Sequence, residues 1–299
     1  MDQIDEKLRL LAQQEQPPPP ESFDRMVQHT LATLPQRHSK PRVLYRVRRL
    51  TVGLAAVLAV LIALPNLVPA VAYAAEGVPV IGSLIEALTF RNYQLDEGTV
   101  TAQVREPELV YSDDKNSELG QAAEQSTSEI NAEVEQLTNE ALEWLQEICA
   151  LNGEAYANLT VDYSVITNTD SWFTLKLNIC QSAGSGTEQV VYYHIDKTTG
   201  ERVELGDLFR ADSGYTAAIG EELRRQMREQ MEEDPGVIYW LDADDIPAEW
   251  VFREIRADQN FYFSSDGTLY IVLDEYQAAP GYMGCPEFAI PEELIASLQ

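Results

Sequence analysis

The chain has 299 residues, 45% of them hydrophobic, with 21 Lys+Arg against 49 Asp+Glu, a net charge of -28 and a pI near 4.3. Bulk charge of that sign repels phosphate over any extended surface and excludes a direct nucleic-acid binder, while the apolar fraction supports a sizeable core and excludes a wholly disordered chain. The mean hides a split: residues 1–49 carry nine Lys/Arg and six acids, net +3, Leu50 to Ala75 carry no charge, and Glu76 to Gln299 hold a net -31.

In residues 1–49 the run Pro17 to Pro20 forms an extended spacer between two short helical patterns. Upstream, Ile4, Leu8 and Leu11 fall at i, i+4 and i+7; downstream, Phe23, Met26, Val27, Thr30, Leu31 and Leu34 follow helical spacing. Each helix has one apolar stripe and nothing within the segment large enough to bury it. Two readings stay open. The stripe of Phe23, Met26, Val27, Leu31 and Leu34 docks into a groove of a cytoplasmic partner, or the segment is a juxtamembrane tail whose basic residues touch anionic lipid.

Leu50 to Ala75 is an uncharged run of 26 residues, and a helix crossing the hydrocarbon core needs about 20. Arg37, Lys40, Arg42, Arg46, Arg48 and Arg49 precede it, whereas Glu76, Glu86 and a lone Arg91 follow. The positive-inside rule then puts the N-terminus in the cytoplasm and the acidic bulk outside, as a single-pass protein of the cell membrane. With 49 residues ahead of it, the run reads as a signal anchor rather than a cleaved signal peptide. Pro65 and Pro69 nevertheless break the helix just before Ala72 and Ala74, whose small-x-small spacing is what a signal peptidase engages. Cleavage after Ala74 under some condition is therefore an expectation.

Residues 76–99 are expected to be a juxtamembrane connector, with Gly77 to Phe90 at the membrane surface or capping the outer domain, and 100–299 an α+β sensor domain. Val100 to Tyr111 alternates as a strand, with Pro107 tolerable at an edge. A long helix follows from about Asn116 to Ala150, with Ile130, Val134, Leu137, Ala141, Trp144, Leu145 and Ile148 on one face and Gly153 as its stop. Strands at about Ala155 to Ile166, Trp172 to Cys180 and Gln189 to Ile195, a helix at Tyr215 to Glu233, and a hairpin of Asn260 to Phe263 with Thr268 to Leu273 complete the pattern. Helices and strands arriving in blocks predict an antiparallel sheet with two main helices, preceded by the transmembrane helix and the short helical inner segment.

Signatures of chemistry are missing. There is no HExxH, no paired CxxC, no GxSxG, no SxxK and no Gly-rich phosphate loop, so no catalytic, metal or cofactor-binding residue is assigned. His194 reads as a packed or surface strand residue. Asp242, Asp244 and Asp245 fail as a calcium loop, because Pro247 stands where Gly is needed and Arg253 where Glu is needed. Cys149, Cys180 and Cys285 permit a disulfide outside the cell, with the pairing open.

The run from Asn260 to Leu294 has an aromatic strand, a glycine turn, an apolar strand, Tyr-x-x-Ala-Pro, a glycine and Phe-x-Ile-Pro. The residues are Asn260, Phe261, Tyr262, Gly267, Tyr276, Ala279, Pro280, Gly284, Phe288, Ile290, Pro291 and Leu294. This pattern resembles the C-terminal domain of RsiV-type anti-sigma factors, a domain also found in proteins of other function, including envelope polysaccharide deacetylases. Val78 to Tyr93 is similar to the segment just outside the membrane in those regulators. The resemblance implies an inner segment that sequesters an extracytoplasmic-function sigma factor and an outer domain that senses an envelope signal. In the best-known members that signal is lysozyme, and the response is cleavage by signal peptidase and then an intramembrane protease. An outer region of net -31 suits a cationic partner. A surface module that binds lysozyme or wall material without signalling is the competing reading.

Overall fold

The computed structural model describes residues 85–151, 156–242 and 246–299. The docking stripe, the uncharged run, Ala72 and Ala74 lie outside them, as does Gly153. Among the described residues no helix is long and apolar enough to cross a membrane.

The domain opens with two 12-residue strands, β1 (Ile85–Asp96) and β2 (Val100–Tyr111), paired antiparallel. Residues 85–96, within the stretch 76–99 read from sequence as connector, are therefore part of the sheet. The 34-residue helix α1 (Glu118–Leu151) crosses over to β3 (Ala157–Asn168), which runs parallel to β2. β4 (Trp172–Ala183) and β5 (Ser185–Asp196) continue antiparallel, giving one sheet in the order β1-β2-β3-β4-β5. The expected all-antiparallel sheet is thus corrected to a mixed one. A helix between two strands of one sheet returns the chain in the same direction, and that crossover forces the parallel pair. Pairing with β3 covers only Val100–Val104, so at Pro107 β2 is flanked by β1 alone, which is why a residue without an N–H is tolerated there.

The alternation read from sequence decides which face α1 covers. Val100, Ala102 and Val104 on β2, Leu159 and Val161 on β3, Phe173, Leu175 and Leu177 on β4, and Tyr193 and Ile195 on β5 meet Ile130, Val134, Ala141, Leu142 and Leu145 in one core. The helix positions recur at three and four residues, as burial of a single stripe requires. The Asp196–Gly200 turn is pinned to the start of this helix. Gly200 has φ +80, and a Cβ there would stand 2.5 Å from the Leu119 carbonyl oxygen, so only glycine fits.

The chain then builds a second core around α2 (Tyr215–Glu233), a three-stranded sheet of β6 (Phe261–Phe263), β7 (Leu269–Val272) and β8 (Glu287–Ala289), and a short third helix, α3 (Glu292–Leu298). Ile219, Leu223 and Met227 of α2 pack with Phe261, Ile271, Phe288 and Ile290. The sequence reading anticipated α2 and the β6-β7 hairpin but not β8 or α3, whose three and seven residues are too short to show a period.

Candidate functional site

The residues singled out in the C-terminal pattern divide by what they do. Phe261, Ala279, Phe288 and Ile290 are interior. Gly267 (φ +88) turns the β6-β7 hairpin, where its N–H donates to the Ser264 carbonyl at 2.9 Å. Gly284 (φ 63, ψ -136) occupies a region essentially closed to other residues. Pro280 and Pro291 precede the short helix Gly281–Met283 and α3 respectively. Tyr262 stacks on Tyr192 of β5, ring centroids 5.3 Å apart, and donates to Glu287 Oε2 at 2.7 Å. Leu294 packs against the second core.

Asn260 joins the two sheets. Its Nδ2 donates to the Val190 carbonyl at 2.8 Å and its Oδ1 accepts from the Tyr192 N–H at 3.1 Å, the bonds a sixth strand would make. Neighbouring groups finish that edge of β5. The Glu188 N–H donates to Glu275 Oε2 at 2.6 Å, the Val203 N–H to the His194 carbonyl, and the Asp196 N–H to the Glu201 carbonyl. Asn131 of α1 plays the same part at Leu109 of β2, accepting from its N–H at 2.7 Å and donating to its carbonyl at 2.9 Å.

His194 sits under this junction, buried and stacked on Phe261 at 3.9 Å and on Trp172 at 5.8 Å. Trp172 Nε1 donates to Thr174 Oγ1 at 2.9 Å, so the hydroxyl is free to donate to His194 Nδ1, 3.1 Å away. Burial drives the imidazole pKa down to about 3, against a smaller upward pull from the Phe261 backbone, and the ring is neutral. Of the two sequence readings of His194, the packed one holds. Cys149, Cys180 and Cys285 are free thiols, and burial pushes Cys285 up to about 11. Asp242 is exposed, residues 243–245 lie outside the described ones, and no group of three metal-ligating side chains occurs among the described residues.

In and around the C-terminal pattern, several large apolar side chains stand open to solvent. Tyr276 is 53% exposed, Tyr282 66% and Trp250 53%, and Ile238 is exposed as well. They are tied into one loop surface: Tyr282 donates to the Gly236 carbonyl at 3.0 Å, the Trp240 N–H donates to the Ala278 carbonyl at 2.7 Å, and Trp240 packs on Trp250. Tyr276 is the one non-glycine residue with positive φ (65) among the described residues. Its hydroxyl overhangs Gly281, where a Cβ would lie 2.3 Å from it. A left-handed tyrosine costs on the order of 1 kcal/mol, and strain of this kind concentrates at ligand-facing sites. Sequence reasoning named Tyr276 for its place in the pattern and missed Tyr282, Trp250 and Ile238, because single exposed aromatics give no periodic signal.

The fold and its C-terminal pattern first define a class. Residues 206–293 match the family described as "Protein of unknown function (DUF3298)". Two crystal structures of DUF3298 proteins are similar at 14% identity each. One, from Bacteroides fragilis NCTC 9343, covers 73% of this chain and 93% of its own with a TM-score of 0.44. The other, from Pseudomonas aeruginosa PAO1, covers 72% and 94% with a TM-score of 0.38. The anti-sigma-V factor RsiV of Bacillus subtilis (strain 168) is 34% identical over 236 residues, 79% of this chain and 78% of that protein. The chain belongs to the RsiV family of anti-sigma factors.

Proposed function

We propose that the chain is a single-pass membrane regulator. Residues 1–49 hold a sigma factor in the cytoplasm, 50–75 anchor it, and the α+β domain outside captures a cationic envelope ligand. The observation that carries this is the 34% identity to an anti-sigma factor over 79% of the chain. The +3, uncharged and -31 segments supply the topology. Phe23, Met26, Val27, Leu31 and Leu34 are the docking stripe for the sigma factor, and Ala72 and Ala74 the signal-peptidase site whose cleavage admits an intramembrane protease.

The exposed aromatics support a ligand surface on the outer domain. Tyr276, Tyr282, Ile238 and Trp250 are exposed on loops joined by the Tyr282–Gly236 and Trp240–Ala278 hydrogen bonds, and Asp234, Glu249 and Glu275 lie within two residues of Gly236, Trp250 and Tyr276 in the chain. Aromatic anchors inside an acidic surround fit a basic protein such as lysozyme, with the rings giving residence time and the charges giving encounter rate. Co-expression of residues 1–49 with the sigma factor encoded beside this gene should yield a stable complex, and failure to form one overturns the reading. The alternative, a surface module without signalling, is separated by deleting residues 1–36. Its ligand capture would persist with no change in transcription, whereas loss of an anti-sigma segment frees the sigma factor.

A further inference from the structure

An open cleft of about 530 Å³ runs between the second half of β2 and the first half of α1, a volume that suits a small organic ligand. One wall is β2 from Glu106 to Tyr111, five steps of ~3.3 Å, and the other is α1 from Glu124 to Glu135, eleven steps of ~1.5 Å, so the cleft is about 16 Å long. It exists because β2 leaves β3 after Val104, and from there α1 stands where a strand would, with Asn131 on the Leu109 N–H and carbonyl. Apolar Phe90 and Leu109 line it together with Glu106, Glu108, Glu124, Glu135 and Lys115. Glu106 is matched in charge by Arg91, which leaves three carboxyls against one ammonium. The Glu106 side chain is 2% exposed, and its Oε2, 2.9 Å from Arg91 Nε, takes no hydrogen bond. A carboxylate so placed keeps acceptor capacity for an N–H donor in the cleft. Lys115 shows what such a donor does at the other end: its Nζ is 2.7 Å from Glu124 Oε1, with side chains 55% and 51% exposed. A pair that open to water is displaced by a competing ammonium at little cost.

This arrangement selects among cations. A metal ion needs its oxygen ligands gathered around one point, and no three ligating side chains are so gathered among the described residues. A basic peptide adding as a strand needs the Leu109 N–H and carbonyl, which Asn131 already holds. A flexible chain whose ammonium groups are spaced by methylenes meets both conditions, with alkyl stretches against Phe90 and Leu109 and charges at the carboxyls. We propose that the cleft between β2 and α1 is a binding site for a linear polyamine such as spermidine. Glu135, which lies 3.7 Å from Arg91 Nη2 and so stands at the Glu106 end, takes one ammonium, and Glu124, given up by Lys115, takes another. Because the walls belong to different elements, an occupant spanning them ties the β1-β2 ribbon to α1. The site shares no residue with the exposed aromatics and is independent of the sigma-factor reading.

The test is equilibrium dialysis of radiolabelled spermidine against the full chain in phosphatidylcholine nanodiscs at about 0.15 M salt, where the diffuse attraction of a chain of net charge -28 is screened. Binding should saturate at a single site and should survive Mg²⁺ at the same concentration as spermidine. Ala132→Phe fills the cleft from an exposed helix position without removing a charge and should weaken binding by about tenfold or more. Glu124→Gln with Glu135→Gln should do the same, whereas Glu232→Gln with Glu233→Gln, exposed at the end of α2, should leave the affinity unchanged. Uptake that does not saturate, displacement by Mg²⁺, unchanged affinity in either cleft variant, or an equal loss in the α2 variant overturns the site. If the cleft variants do not fold, amide hydrogen exchange on the unmodified chain decides. Slowing by spermidine confined to residues 106–111 and 124–135 supports the site, and slowing spread over the domain, or none, sinks it.

Discussion

Acidification should expose His194. The ring is buried and neutral with its pKa near 3, against an ordinary value of 6.5 once the chain unfolds. Its contribution to stability is therefore complete above pH 6.5 and is lost as pH falls toward 3. Each unit is ~1.4 kcal/mol, so the loss is about 3 kcal/mol at pH 4 and about 4 kcal/mol at pH 3. Glu106 works in the opposite direction. Its folded value near 7 lies above the ordinary 4.5, so protonation on acidification adds about 3 kcal/mol between those limits. The Glu106 gain opposes the His194 loss between pH 7 and pH 4.5, so the native protein should lose stability most steeply below that range. His194→Phe keeps an aromatic ring against Phe261 and leaves Thr174 bonded to Trp172. Urea denaturation followed by far-UV dichroism should show this variant gaining about 3 kcal/mol on going from pH 7 to pH 4.5. A His194→Phe profile superimposable on the native one would refute the reasoning.

Other perturbations test the junction and the two proposed surfaces. Asn260→Ala removes the bonds to Val190, Tyr192 and Asp274 and should cost about 2 to 4 kcal/mol, read as a lower urea midpoint. Gly284→Ala forces a Cβ into φ 63, ψ -136 and should cost on the order of 1 to 3 kcal/mol, read as a lower melting temperature. Tyr276→Ala with Tyr282→Ala should weaken lysozyme binding by about tenfold or more in calorimetry with little change in unfolding, since both side chains are largely exposed. Leu31→Asp should abolish the complex between residues 1–49 and the sigma factor in a pull-down.

Elements with a long regular period were legible in the sequence. Tyr215 to Glu233 and Val100 to Tyr111 have the predicted bounds, and α1 lies within two residues of its expected start. β1 was not, because IEALTFRNYQLD follows a Gly/Pro-broken apolar stretch and places Arg91 among its inward positions, which spoils the alternation. That spoiled alternation was itself a signal. On β2 the inward series Val100, Ala102, Val104 continues to Glu106, and a carboxylate in such a series needs a buried partner. The parallel β2-β3 pair follows from α1 lying between them and could have been drawn from the strand-helix-strand order alone. The exposed aromatics could not, since which tyrosines are exposed depends on how the loops at 234–240 and 274–284 meet, a matter of tertiary contact rather than of period.

The two asparagine clamps carry a consequence for assembly. A β-sheet grows by adding strands to an unsatisfied edge, and open-ended growth requires two such edges per molecule. Asn260, Glu275 and the 201–203 backbone occupy the hydrogen-bonding groups along β5, and Asn131 does so at Leu109. β1 pairs with β2 and with no other strand among the described residues. Strand addition to the five-stranded sheet is therefore steered to β1, since the β5 edge already meets Asn260, Glu275 and the 201–203 backbone between Glu188 and Asp196.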